Sequence, residues 1–184
     1  MIKSSRTATA VLTTAVCTLA LLVLGPAGTA SAGVLDVTCT PPSSETITYT
    51  PPLTTTPQAV TISSSTQYGP CVSLSNPAIT SGSRARITND PEQTCLDLLD
   101  TGSSTFTITW NTGQTSTISA NRTATVAGAA LVVTFTGTVT SGLFTGSTVV
   151  QTNTGPSADV LLCTIGLGTV PGIYSLVTLE ITSL

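Results

Sequence analysis

From Gly33 onward the residues predict an all-β fold: an antiparallel Greek-key β-sandwich with two disulfides, with a closed β-barrel as the alternative. Three observations carry the prediction. Threonine supplies 34 of the 152 residues from Gly33 to Leu184, and its branched β-carbon suits a pleated, half-exposed surface and crowds a helix. Runs of apolar and polar residues alternate with period two between glycine, proline and asparagine turns. Four cysteines stand in this region, Cys39, Cys71, Cys95 and Cys163, an even number that fits a disulfide framework.

Taken in chain order, strands are expected over residues 34–40, 46–50, 58–64 and 84–88. Pro41-Pro42, Pro51-Pro52, Pro57, Pro70, Pro77 and Pro91 punctuate this half. Proline cannot donate to a ladder, so edge strands and loops are expected here rather than a central sheet. Residues 91–99 could hold one helical turn, since 94–99 is the least strand-like stretch. The clearest strand is 106–110, with Phe106, Ile108 and Trp110 on one face and threonines on the other. Asn111-Thr112-Gly113 turns the chain, and 115–119 returns as a hairpin. A second hairpin runs from 131–140 through Ser141-Gly142 into 143–151. Gly137 and Gly146 inside it point to bulges or close backbone approach. Strands are also expected over 159–165 and 173–183. There is no fixed-length repeat, which argues against a solenoid or propeller.

The first 32 residues read as a cleaved secretory signal, leaving one domain over 33–184. Lys3 and Arg6 precede an uncharged apolar stretch, Gly25-Pro26 breaks it, and Ala30-Ser31-Ala32 offers small residues for cleavage. Cys17 leaves with the signal. A secreted, extracellular location follows. The remaining chain has three arginines against eight acids, a net charge of −5, with no lysine and no histidine. Nucleic acid and anionic membranes are therefore poor partners, since both demand clustered cations.

Four cysteines allow three pairings, and spacing alone does not choose. The preferred pairing is Cys39–Cys71, joining neighbouring N-terminal segments, with Cys95–Cys163 tying the middle loop to a late strand. Each bridge is worth about 3–4 kcal/mol by the loop-entropy model. A zinc site would want C-x-x-C or histidine, and the sequence has neither. No metal and no cofactor is expected.

Catalytic options are few. Without histidine there is no Ser-His-Asp or Cys-His arrangement, and no serine sits in a G-x-S-x-G turn. Without lysine there is no Schiff base. A carboxylate pair remains, and Asp90, Glu92, Asp97 and Asp100 gather around Cys95. Solvated loop acids explain that cluster, because solvent is where an unpaired carboxylate costs least. It lacks the D-x-D-x-D-G register of a calcium loop. Arg84 and Arg86 lie two apart, and a solvated strand face accounts for them. Trp110, the only tryptophan, is a candidate for stacking on a sugar ring, with Tyr68 a second ligand-binding candidate. Trp110 also shares the face of Phe106 and Ile108, the mark of a core residue.

The layout resembles a group of small secreted actinobacterial proteins of no assigned activity. The matching features are the Ala-Ser-Ala ending, Cys39 followed by prolines, Tyr68 before Cys71, the Trp110-Asn111-Thr112-Gly113 hairpin, and the run from Gly137 to Gly146. The resemblance implies a β fold and a secreted location, and carries over no catalytic residue. The expected function is a non-enzymatic binding or structural component of an extracellular or cell-surface assembly. Its partner would be an extracellular protein or a cell-wall polysaccharide. A carbohydrate-binding module and a carboxylate-dependent glycoside hydrolase are the alternatives.

Overall fold

Nearly every alternating run becomes a strand, and the strands are longer than the runs that betray them. The computed structural model describes residues 35–183. The first five strands are β1 (Leu35–Cys39), β2 (Ser44–Leu53), β3 (Gln58–Tyr68), β4 (Cys71–Val72) and β5 (Gly82–Gln93). A 3₁₀ turn, Leu96–Leu99, leads into β6 (Gly102–Trp110), β7 (Thr115–Ala127), β8 (Ala130–Gly142) and β9 (Thr148–Pro156). Helix α1 (Ala158–Thr164) then precedes the last strand, β10 (Val170–Thr182). The predicted signal over residues 1–32 lies outside the described residues. No helix among the described residues is long and apolar enough to cross a membrane.

The sheet closes on itself. Strands β2, β3, β5, β6, β7, β8, β9 and β10 pair antiparallel in that order, and β10 returns to β2 through Ile173↔Ile47, Tyr174↔Thr46 and Ser175↔Glu45. The result is a closed, up-and-down, eight-stranded barrel. This is the barrel alternative, and the two-sheet Greek-key sandwich gives way to it. Alternation cannot separate the two, because one buried face per strand serves either; the pairing of the first long strand with the last decides. Strand β1 runs beside β10 from Leu35↔Thr182 to Cys39↔Leu179, the chain breaks at Pro41-Pro42, and it resumes along β10 as β2.

Phe106, Ile108 and Trp110 point inward and are buried, while Thr105, Thr107 and Thr109 between them are exposed. Gly137 and Gly82 are among the places that demand glycine. A β-carbon on Gly137 would lie 2.0 Å from the Ser119 carbonyl oxygen, next to a register shift in β7. A β-carbon on Gly82 would lie 2.9 Å from Cε3 of Trp110. The first is the close approach expected in the second hairpin. Gly146 instead lies in the turn before β9, at φ 93°.

Other expectations need correction. Residues 159–165 are not a strand: helix α1 occupies them, with Val160 and Cys163 buried three apart and Asp159 in the first turn. That spacing serves one helical face, and Asp159 suits the positive N-terminal end. The proline-rich half is no fringe, since β2, β3 and β5 are barrel staves. Its prolines fall outside the ladders or at strand ends; Pro51 and Pro52 follow Thr50, the last β2 residue paired with β3. The return strand of the second hairpin starts at Thr148 rather than at residue 143.

Both disulfides form as preferred, Cys39–Cys71 and Cys95–Cys163. Each sits in its own apolar cluster. The first cluster holds Cys39 and Cys71 with Tyr68, Trp110, Ile118 and Leu179. The second holds Cys95 and Cys163 with Tyr49, Leu53, Val60 and Val170. Along β3, β8 and β10 the clusters lie at opposite ends of the strands, so the barrel is stoppered twice. Between the stoppers its interior turns polar.

Candidate functional site: a cavity behind a window in the barrel wall

The polar middle follows from a few inward positions. Glu45 on β2 is 5% exposed, and its carboxylate accepts from three side chains. Arg84 Nη2 donates at 2.5 Å, the Thr66 hydroxyl at 2.8 Å, and Asn153 Nδ2 donates to the other oxygen. Arg84 Nε also donates to Thr66 Oγ1. The network continues outward from Asn153, since Gln151 Nε2 donates to Asn153 Oδ1 at 2.8 Å and the Tyr68 hydroxyl donates to Gln151 Oε1 at 2.9 Å. Each side chain of this network has at least one hydrogen-bond partner, as burial requires. The Arg84 guanidinium lies 4.3 Å from the centre of the Phe106 ring, and Phe106 meets Phe135 edge-on at 5.8 Å.

One seam of the barrel stays open. Strands β5 and β6 pair only at Gly82↔Trp110 and Ser83↔Thr109, while β5 pairs with β3 along its length. Asn111 ties off this end: its side-chain oxygen accepts from the Thr80 and Ser81 amides, and its own amide donates to the Ser81 carbonyl. Beyond Ser83 the strands part. The 3₁₀ segment closes the far end, held by Arg122 on β7, whose Nη1 and Nη2 donate to the carbonyls of Asp100 and Leu98 at 2.5 and 2.6 Å. The outcome is a bounded window rather than a split barrel.

Behind the window lies a cavity of about 690 Å³, within the range of small-molecule sites. Its apolar wall includes Ile47, Tyr49, Ile62, Phe106 and Phe135, and its charged lining includes Arg84, Arg86 and Arg122. These are the only three cations among the described residues. Burial pushes the Tyr49 phenol up from its ordinary value, and pulls the Arg122 guanidinium down.

The ligand-binding candidates of the sequence fall elsewhere, while Asp97 and Asp100 line the cavity. Trp110 and Tyr68 are both 2% exposed. The indole Nε1 donates to Ser116 Oγ at 2.9 Å, and its ring packs edge-on to Phe144. Neither side chain offers a ring face to a ligand, because each fills the same stopper. Nor do the four loop acids converge. Asp97 accepts from the Thr94 amide and hydroxyl at 2.6 and 2.8 Å, and Asp90 accepts from the Glu92 amide. Among the described residues no group of three or more His, Cys, Asp or Glu could hold a metal ion. Arg84 leaves the predicted solvated face and turns into the barrel. Sequence reasoning passed over Glu45 and Arg122 and placed Arg84 on a solvated face. The available signal was the scarcity of charge: lone charged residues at apolar-face positions of strands are the ones that turn inward. Asn121-Arg122-Thr123, a glycosylation-like triplet, is ordinary β7 strand.

No family model, no curated protein and no solved structure matches this chain.

Proposed function

We propose that this is an exported, non-enzymatic binding protein, working as a component of an extracellular or cell-surface assembly, and that it takes a small ligand into the barrel through the β5–β6 window. The observation that carries this reading is the cavity of about 690 Å³ behind strands that pair at one end only. A barrel with no ligand to admit gains from completing that seam, because unpaired strand edges cost hydrogen bonds. Two disulfides, as an oxidising compartment permits, support export. The non-enzymatic part rests on the missing histidine and on acids whose oxygens are taken by neighbouring donors. The sugar-binding alternative rested on Trp110, whose burial removes that support.

The test is a thermal-shift screen of the purified protein against small organic molecules and soluble oligosaccharides, run beside Ser104→Phe. Ser104 lines the cavity from β6, so a phenyl ring there fills it. At least one compound should raise the melting temperature of the native protein and leave the variant unmoved. A compound that stabilises both equally, silence across the whole library, or turnover of a bound compound would each count against the reading.

A further inference from the structure

The charges around the cavity are satisfied unequally. Two of its acids accept from neighbours: Glu45 takes donors from Arg84, Thr66 and Asn153, and Asp97 Oδ2 takes them from Thr94 and Gln93. Asp100 is exposed at the rim. The cations are less well matched. Arg84 alone has a carboxylate partner, the one salt bridge among the described residues. Arg122 is half-buried and spends two donors on backbone carbonyls; the Asp100 and Glu45 carboxylates act on it, but neither comes within ion-pair distance. Arg86 lines the cavity from β5 at an exposed position, and its side chain has neither a hydrogen bond nor an ion pair among the described residues.

We infer that the cavity is built for an amphipathic organic acid, a single carboxylate on an apolar body, with the carboxylate held by Arg86 and Arg122 and the body against Phe106, Phe135, Tyr49 and Ile62. This rests on the proposed ligand-binding role and adds the chemistry of the ligand. Guanidinium is the side chain best shaped to take a carboxylate by paired hydrogen bonds. A cation drawn out of water without countercharge gains most from an anion brought to it. A cationic ligand would find no free acceptor at Glu45, and it would face Arg86 and Arg122. A fully polar ligand would leave the rings and Ile62 against water-seeking groups. The net charge of −5 over residues 33–184 repels anions at long range, so the pocket's own arginines must supply the attraction, within a screening length.

Isothermal titration of the purified protein with octanoate and 2-naphthoate, each beside its primary amide, tests the inference and separates an alkyl from an aromatic body. At least one acid should bind about tenfold more tightly than its amide, the scale of one charge-assisted contact. Arg86→Gln should weaken that acid about three- to tenfold and leave the amide within about twofold. Arg122→Gln should weaken it further, and because Arg122 also holds the Leu98 and Asp100 carbonyls its melting temperature is recorded alongside. Arg86 has no such second duty, so its variant decides the matter if Arg122→Gln loosens the fold. Ser104→Phe should abolish binding of both. Acid and amide binding alike, both lost in Ser104→Phe, would overturn the carboxylate while sparing the cavity. Acid binding indifferent to both arginine variants would overturn it too. No binding of any probe would remove the carboxylate and count against the cavity as a site.

Discussion

At the scale of the residue, the interior is governed by one ion pair and its attendants. Glu45 and Arg84 stand 39 positions apart in the sequence yet meet at 2.5 Å with side chains 6% and 10% exposed. A pair so far from water contributes little net stability when intact but is costly to halve, because the survivor is left charged and unpaired. Glu45→Gln and Arg84→Met should each lower unfolding stability by about 3 kcal/mol in urea titration. The double substitution Glu45→Leu with Arg84→Met should cost clearly less than the sum, and additive losses would show that the two side chains act independently. Trp110 and Tyr68 illustrate the same scale from the apolar side. Each is large enough to fill a stopper and keeps its one polar atom by bonding Ser116 or Gln151.

At the scale of the element, the seam between β5 and β6 is the weak one. The Ser81 carbonyl accepts from Asn111, so odd residues of β5 direct their backbone groups toward β6. The Trp110 amide donates to Gln114, so even residues of β6 face β7 and odd ones face the window. The amides of Ala85, Ile87, Thr105 and Thr107 therefore open onto the window, while those of Arg84, Arg86, Phe106 and Ile108 lie in ladders. Hydrogen exchange followed residue by residue should show the first four exchanging at least about a hundredfold faster than the second four. Equal protection would mean that the seam is closed in solution. Elements are also where the sequence was most readable. The hairpins around 111–113 and across β8 and β9 announced themselves, because local turns and period-two alternation are written in neighbouring residues. Barrel closure was not legible, since it depends on Ile47 meeting Ile173 across most of the chain. Helix α1 was misread because its leucines and valine fit either period, and only the Val160–Cys163 spacing marks the buried face. The cavity was illegible for the same reason as closure: Glu45, Arg84 and Arg122 come from three strands.

At the scale of the whole molecule, the two stoppers give the fold a definite response to alkali. Tyr49 sits in one cluster and Tyr68 in the other. Burial raises both phenols above the ordinary value of 10.0. The sign follows directly. The native barrel holds the neutral phenols, whereas an unfolded chain releases their protons near pH 10, so their contribution is complete below that pH. It drains away as pH rises past it. Tyrosinate absorbance should then track loss of β-sheet signal in one transition for these two residues, above about pH 10. Ionisation of both at pH 10 with the sheet intact would contradict the described packing.

The placement of the arginines has a consequence for resistance to proteolysis. A protease that cuts after basic residues needs an extended, accessible stretch of chain threaded through its cleft. The described residues offer it only three such bonds, after Arg84, Arg86 and Arg122, and all three lie inside β5 or β7. Each of those strands is hydrogen-bonded along at least one side, so no loop of the barrel carries a basic cleavage point. The same scarcity of charge that gathers the cations at the cavity leaves the described turns without a cleavage point for trypsin-like enzymes.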